Sequence, residues 1–197
     1  MDTEDSGHDL GPILRSELPM LEVQLKNGSI EEKRQALERL SELGHTARPL
    51  IPVVLSMIDQ RSSWLTTSML IKLLKATGDV IIVQALREAN LLNGLGISDQ
   101  LDCFQHGAEE LEDGIQSYIW QHRHTPGEPA RPEMVKALGE KGGHEALKMM
   151  KALLVELSES NELEPNNVLA AFENAAQISL REEVRKSIRQ LNERGIR

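Results

Sequence analysis

A chain of 197 residues, 40% of them hydrophobic, can bury a core as one folded unit, and its net charge of -9 (31 acidic against 22 basic residues) disfavours condensation on DNA, RNA or anionic lipid. Cys103 is the single cysteine, so no internal disulfide forms; no charged start followed by an apolar run occupies residues 1–20, and no apolar run approaches the ~20 residues of a membrane span. The expectation is a cytoplasmic protein without a membrane segment. Aromatic side chains are few (Trp64, Phe104, Tyr118, Trp120, Phe172) while Leu, Ala and Glu abound, which suits helix over sheet.

In chain order, Met1 to Gly11 is polar and acidic without periodicity and reads as a disordered leader. A first helical block is expected over 12–124. It opens with Leu14, Leu18, Leu21 and Leu25 at helical steps, with Pro19 placed to kink or restart that helix and Asn27-Gly28 to stop it. Ser29 and Glu32 have the spacing of a capping box, so a second helix starts at Ile30, turns Leu37, Leu40 and Leu43 inward and ends at Gly44. A third is predicted from Ala47 to Ile58, with Pro49 in its first turn and Pro52 bending it or delaying its start. A fourth covers Ser62 to Thr77, closed by Gly78. Asp79 then caps a fifth, Val80 to Leu92, in which Val80-Ile81-Ile82-Val83 alone would suit a strand but Ala85, Leu86 and Ala89 continue a helical face.

From Gly94 to His124 four glycines interrupt a weak helical pattern. Thr125 to Pro132 holds three prolines and one glycine, reads as a loop, and is the expected seam with a second helical block, 133–197, packed with the first as one domain.

The chain also resembles itself. Leu40-x-Glu42-x-Gly44-His45-x-Ala47 returns as Leu138-x-Glu140-x-Gly142-Gly143-His144-x-Ala146, with one inserted glycine. At an offset of 99, Leu50, Ile51, Val54, Leu55 and Ile58 then fall on Met149, Met150, Leu153, Leu154 and Leu157, and Met69, Leu70, Leu73 and Ala76 on Val168, Leu169, Phe172 and Ala175. On these residues the run Leu37 to Gly78 resembles a HEAT-type helical repeat. Val135 to Ile178 looks like a second copy, and Glu183-Val184-Arg185 with Leu191 and Gly195 like part of a third, while 94–132 matches nothing in the pattern. The resemblance implies an all-α, short right-handed α-solenoid of stacked antiparallel helix pairs, a class made up mostly of scaffolds and adaptors.

No constellation for catalysis or for a cofactor stands out. Cys103-x-x-His106 supplies two metal ligands where three or four are needed, and His122-x-His124 cannot face one site from one helix. Asp99, Asp102, Glu109, Glu110, Glu112 and Asp113 crowd together but fit no calcium-loop register and read as a solvated acidic face. No serine elbow and no complete phosphate-binding glycine pattern occurs. Trp64 and Trp120, with no basic residues interleaved around either, suit packing or anchoring in a partner groove better than base stacking.

The remaining signal is basic. Arg181, Arg185 and Arg189 recur every four residues beside Lys186, and Arg181 to Arg197 carries six basic against three acidic residues. These residues would dock an acidic segment of a partner protein, or complement the macrodipole of their own helix. Arg61, Lys72 and Lys75 form a second, sparser set. The expected function is a protein–protein interaction module acting as scaffold, adaptor or regulator, without enzymatic activity; the alternatives are a nucleic-acid-binding helical array, or a HEAT-like lyase or chaperone acting on a partner subunit, as the enzymes that attach bilin pigments do.

Overall fold

The computed structural model describes residues 12–58, 65–123, 125, 130–159 and 168–196. These residues are all-helical, with no strand among them. The helices are α1 (Pro12–Asn27), α2 (Ile30–Leu43), α3 (Ile51–Leu55), α4 (Thr67–Thr77), α5 (Val80–Glu88), α6 (Ile97–Gln105), α7 (Glu112–Gln121), α8 (Ala130–Lys141), α9 (His144–Glu159) and α10 (Val168–Glu193). They form two compact units, Met1–Asn93 with α1 to α5 and Gly94–Arg197 with α6 to α10. The proline-rich stretch 125–132 lies inside the second unit. The leader 1–11 and the segment 59–64, with Arg61 and Trp64, lie outside the described residues.

In the first unit α1 continues through Pro19, where a kink or a restart was expected; the ring sits on the exposed side, away from buried Leu21 and Leu25. The capping box forms as its spacing requires. Ser29 Oγ accepts from the Glu32 N–H (3.3 Å), and Glu32 carboxylate accepts from the Ser29 N–H (2.7 Å). Arg39 of α2 clamps Glu17 of α1 with two hydrogen bonds, 2.9 and 3.1 Å, and pairs with Glu42 at 2.9 Å.

These contacts carry a pH dependence. The hydrogen bonds from Arg39 hold Glu17 below its ordinary carboxylate value of 4.5, and those from Ser29 hold Glu32 below it. A carboxyl lowered in the fold favours folding above its unfolded pKa and loses that contribution as pH falls through the lowered value. Stability is therefore expected to drop below about pH 4.5, and Glu17→Gln to flatten that drop. Urea melts on either side of this pH that show the same loss of unfolding free energy in both proteins would contradict it.

The single helix predicted from Ala47 to Ile58 is replaced by a 3₁₀ segment, Gly44–Leu50, followed by the short α3. Pro49 and Pro52 explain this, since each removes an i→i−4 hydrogen bond and crowds the carbonyl four residues before it. Their counterparts at an offset of 99 are Lys148 and Lys151, and there the chain forms one uninterrupted helix, α9. Thr66 Oγ1 caps α4, Gly78 ends it in the left-handed region (φ 61°), and Asp79 Oδ1 caps α5. Val80–Val83 is thus helical, and α5 ends at Glu88, short of the expected Leu92.

In the second unit Pro132 lies within the first turn of α8, where a missing N–H is tolerated, so helix begins before the predicted loop ends. The 26-residue α10 is unbroken; no turn separates Ile178 from Glu183, where the resemblance placed the boundary to a third repeat.

Packing follows chain order. Within the first unit α1 contacts α2 and α3, α2 contacts α4, and α5 contacts α3 and α4; within the second, α6 contacts α7 and α8, α7 contacts α8 and α9, and α10 contacts α8 and α9. Burial repeats as well. Ala36, Leu37 and Leu40 of α2 are buried, as are Met134, Val135 and Leu138 of α8; Ile51 and Val54 are buried, as are Met150 and Leu153; Leu55 and Leu154 are both half-buried. Each fully buried aliphatic side chain contributes about 1.5–3 kcal/mol. In the second-helix part of the alignment Val168, Leu169 and Phe172 have no described side chains, and Ala175 is exposed where its counterpart Ala76 is half-buried.

Candidate functional site

The C-terminal part of α10 buries Leu180, Val184, Ser187 and Leu191 along one face. Residues one step off that face point outward, so Arg185, Lys186 and Arg189 are exposed. Lys186 lies 3.9 Å from Glu183 one turn away, a pair that leaves the lysine side chain more than half exposed.

The cluster read from the sequence nevertheless splits. Arg181 is half-buried and its Nη2 donates to the carbonyl oxygen of Leu157 in the last turn of α9. Arg194, just beyond α10, donates from Nη1 to the carbonyl of Gly142 (3.1 Å) and reaches those of Gly139 and Lys141 at 3.5 Å, the C-terminal carbonyls of α8. Both cations thus serve the negative ends of neighbouring helices. The sequence reading placed the macrodipole role on α10's own end; the structure places it on α8 and α9. Lys72 and Lys75 are exposed on α4 in the other unit, and Arg61 lies outside the described residues.

The metal candidates do not converge. Cys103 is fully buried, His106 Nδ1 is 2.7 Å from the carbonyl of Asp102, and His122 Nδ1 is 2.9 Å from that of Tyr118, whose ring it stacks on at 4.1 Å. His124 lies outside the described residues, among which no group of three His, Cys, Asp or Glu could hold a metal. Of the acidic residues, Glu112 has a structural task. Its Oε1 accepts from the Gly143 N–H (3.1 Å), covering the N-terminus of α9, and from Gln116 Nε2 (2.8 Å).

One feature of the second unit escaped the sequence reading. The Arg123 guanidinium lies over the Trp120 ring, 4.6 Å from its centroid, with Nη1 donating to the Trp120 carbonyl (2.8 Å) and Nε 3.6 Å from Glu156 on α9. Trp120 is half-buried and lines a cleft of about 260 Å³ with Gln116, Glu145, Lys148, Met149 and Ala152. A basic residue three positions after the tryptophan at a helix end was the available signal, because that spacing brings the two side chains together. Among the described residues no helix is long and apolar enough to cross a membrane. Compared with protein-family models, with curated proteins and with solved structures, the chain matches none of them.

Proposed function

We propose that the chain is a protein–protein interaction module, a short HEAT-like array of stacked helix pairs that takes an acidic segment of a partner on Arg185, Lys186 and Arg189. The array reading is supported by packing of alternate helices in each unit, and by burial shared at Ala36 and Met134, Leu37 and Val135, Leu40 and Leu138, Ile51 and Met150, and Val54 and Leu153. A stack in which alternate helices touch extends its surface along the chain, and such surfaces bind extended partners. The docking reading is carried by one observation: α10 exposes three cations on one side while Arg181 and Arg194 are committed to helix ends. Exposed cations of this kind act mainly on association rate and specificity.

The test is a fluorescein-labelled Glu-rich peptide followed by anisotropy at two salt concentrations. Binding is expected at low salt, to weaken with salt, and to fall at least about tenfold in the triple variant Arg185→Glu, Lys186→Glu, Arg189→Glu, with an unchanged melting curve. Arg181 is left intact because reversing it would remove a donor from the end of α9. Undiminished binding by the triple variant would confine these cations to solvation of the helix.

A further inference from the structure

We propose that the cleft between α7 and α9 docks a partner segment that inserts one large apolar side chain against Trp120 and Met149 and carries a Lys or Arg about 10 Å away. This site is separate from the exposed cations of α10 and does not rest on them.

The two helices flank the cleft in parallel. Glu112 at the start of α7 holds Gly143 at the start of α9, and Arg123 at the end of α7 meets Glu156 near the end of α9. Both ends are tied, so the space between them is pre-formed. Its volume, about 260 Å³, is below the ~300 Å³ at which small-molecule and cofactor sites begin, and suits a single bulky side chain. Its apolar lining is Trp120, Met149 and Ala152, and Trp, Met and Arg are residue types enriched where interfaces draw their energy. Arg123 fixes the indole orientation from one side, which lowers the ordering cost of binding.

The charge of the occupant follows from the surroundings. Within the second unit no Lys or Arg occurs between Gly94 and His122, whereas Asp99, Asp102, Glu109, Glu110, Glu112 and Asp113 do. Asp113 is exposed on α7 and shares the Trp120 face, because seven residues make almost two full turns, about 10 Å along the axis. Glu109 and Glu110, also exposed, precede it. The cations at the cleft are matched locally: Lys148 lies 3.6 Å from Glu145, and Arg123 3.6 Å from Glu156. The carboxylates at the head of α7 therefore set the sign that an incoming segment meets, and it must be cationic.

The experiment uses the full chain carrying Trp64→Phe, which leaves Trp120 as its one indole, and a displayed library of random peptides as the probe. Selected peptides are expected to share a large apolar residue with a Lys or Arg spaced from it, and as synthetic peptides to shift the emission of Trp120. Ala152→Glu, at an exposed position, is expected to weaken them at least about tenfold, and Asp113→Lys to weaken them severalfold with a reduced salt dependence. Met149→Gln gives the same readout should Ala152→Glu not fold. The triple reversal on α10 is expected to leave these affinities unchanged, so failure here and failure of the α10 reading are distinguishable. A library that yields no binders, or acidic ones, or binders indifferent to both cleft variants, would overturn the proposal.

Discussion

Leu153→Ala is expected to lower the unfolding free energy by about 2–5 kcal/mol, and its neighbour Leu154→Ala by less than about 1.5 kcal/mol. Leu153 is fully buried in α9 among Met150 and Leu157, so truncation loses the transfer energy of three carbons and leaves a cavity that the tied ends of the helix hinder from closing. Leu154 is half-buried and surrenders only part of that contact. Sequence periodicity put Leu154 mid-stripe, opposite Leu55. The pairing is consistent with the fold, since both leucines sit at the same intermediate depth, but the most deeply packed positions are one step earlier, at Val54 and Leu153. Urea melts of the two variants decide it: equal losses, or a larger loss for Leu154→Ala, would mean that α9 is rotated from this placement.

The helix ends were legible where a side chain makes its own local bond. Ser29 with Glu32, Asp79 and Gly78 act within a few residues, and spacing alone identified them. Prolines were legible as interruptions but not in their outcome. The same residue type leaves α1 continuous at Pro19, turns Gly44–Leu50 into 3₁₀ at Pro49 and delays α3 at Pro52, although all three rings are exposed, so the ring's own position does not decide the result. The 3₁₀ segment is held instead through the end of α4, where the Thr77 carbonyl receives His45 Nδ1 at 2.7 Å and Arg48 at 3.0 and 3.1 Å, contacts across about thirty residues that no local pattern announces.

The same limit governs the candidate sites. Charge and four-residue spacing picked out Arg181, Arg185 and Arg189 as equivalent, yet Arg181 turns inward because the unpaired carbonyl of Leu157 lies within its reach. Arg194, one of the six basic residues from Arg181 to Arg197, ties the end of α8. The Trp120 cleft needs residues from two helices, Gln116 and Trp120 from α7 and Glu145 to Ala152 from α9, so it exists only after α7 and α9 are set side by side. Periodicity within one helix identifies a face; it carries no information on which other face will oppose it.

Gly139→Ala is expected to destabilise the protein by about 1–3 kcal/mol, although alanine ordinarily improves a helix interior by about 1 kcal/mol over glycine. α8 and α10 pack closely, and a methyl at residue 139 would stand 2.5 Å from Ser187 Cβ, 2.6 Å from Ser187 Oγ and 2.8 Å from Gln190 Oε1. Ser187 is fully buried and its Oγ donates to the carbonyl of Val135 at 3.0 Å, so it cannot yield without giving up a buried hydrogen bond. Gly114→Ala in α7 is the internal comparison. Its methyl would meet only Gln100 Oε1 at 3.1 Å, the far end of a flexible side chain, and that variant is expected to gain up to about 1 kcal/mol. Ser187→Gly should then be costly alone, yet relieve much of the Gly139→Ala loss in the double variant, because removing Cβ opens the space that the new methyl occupies. Additive losses in that double-mutant cycle would mean that Gly139 and Ser187 are not in contact, and the close crossing of α8 and α10 that positions Arg185, Lys186 and Arg189 would have to be redrawn.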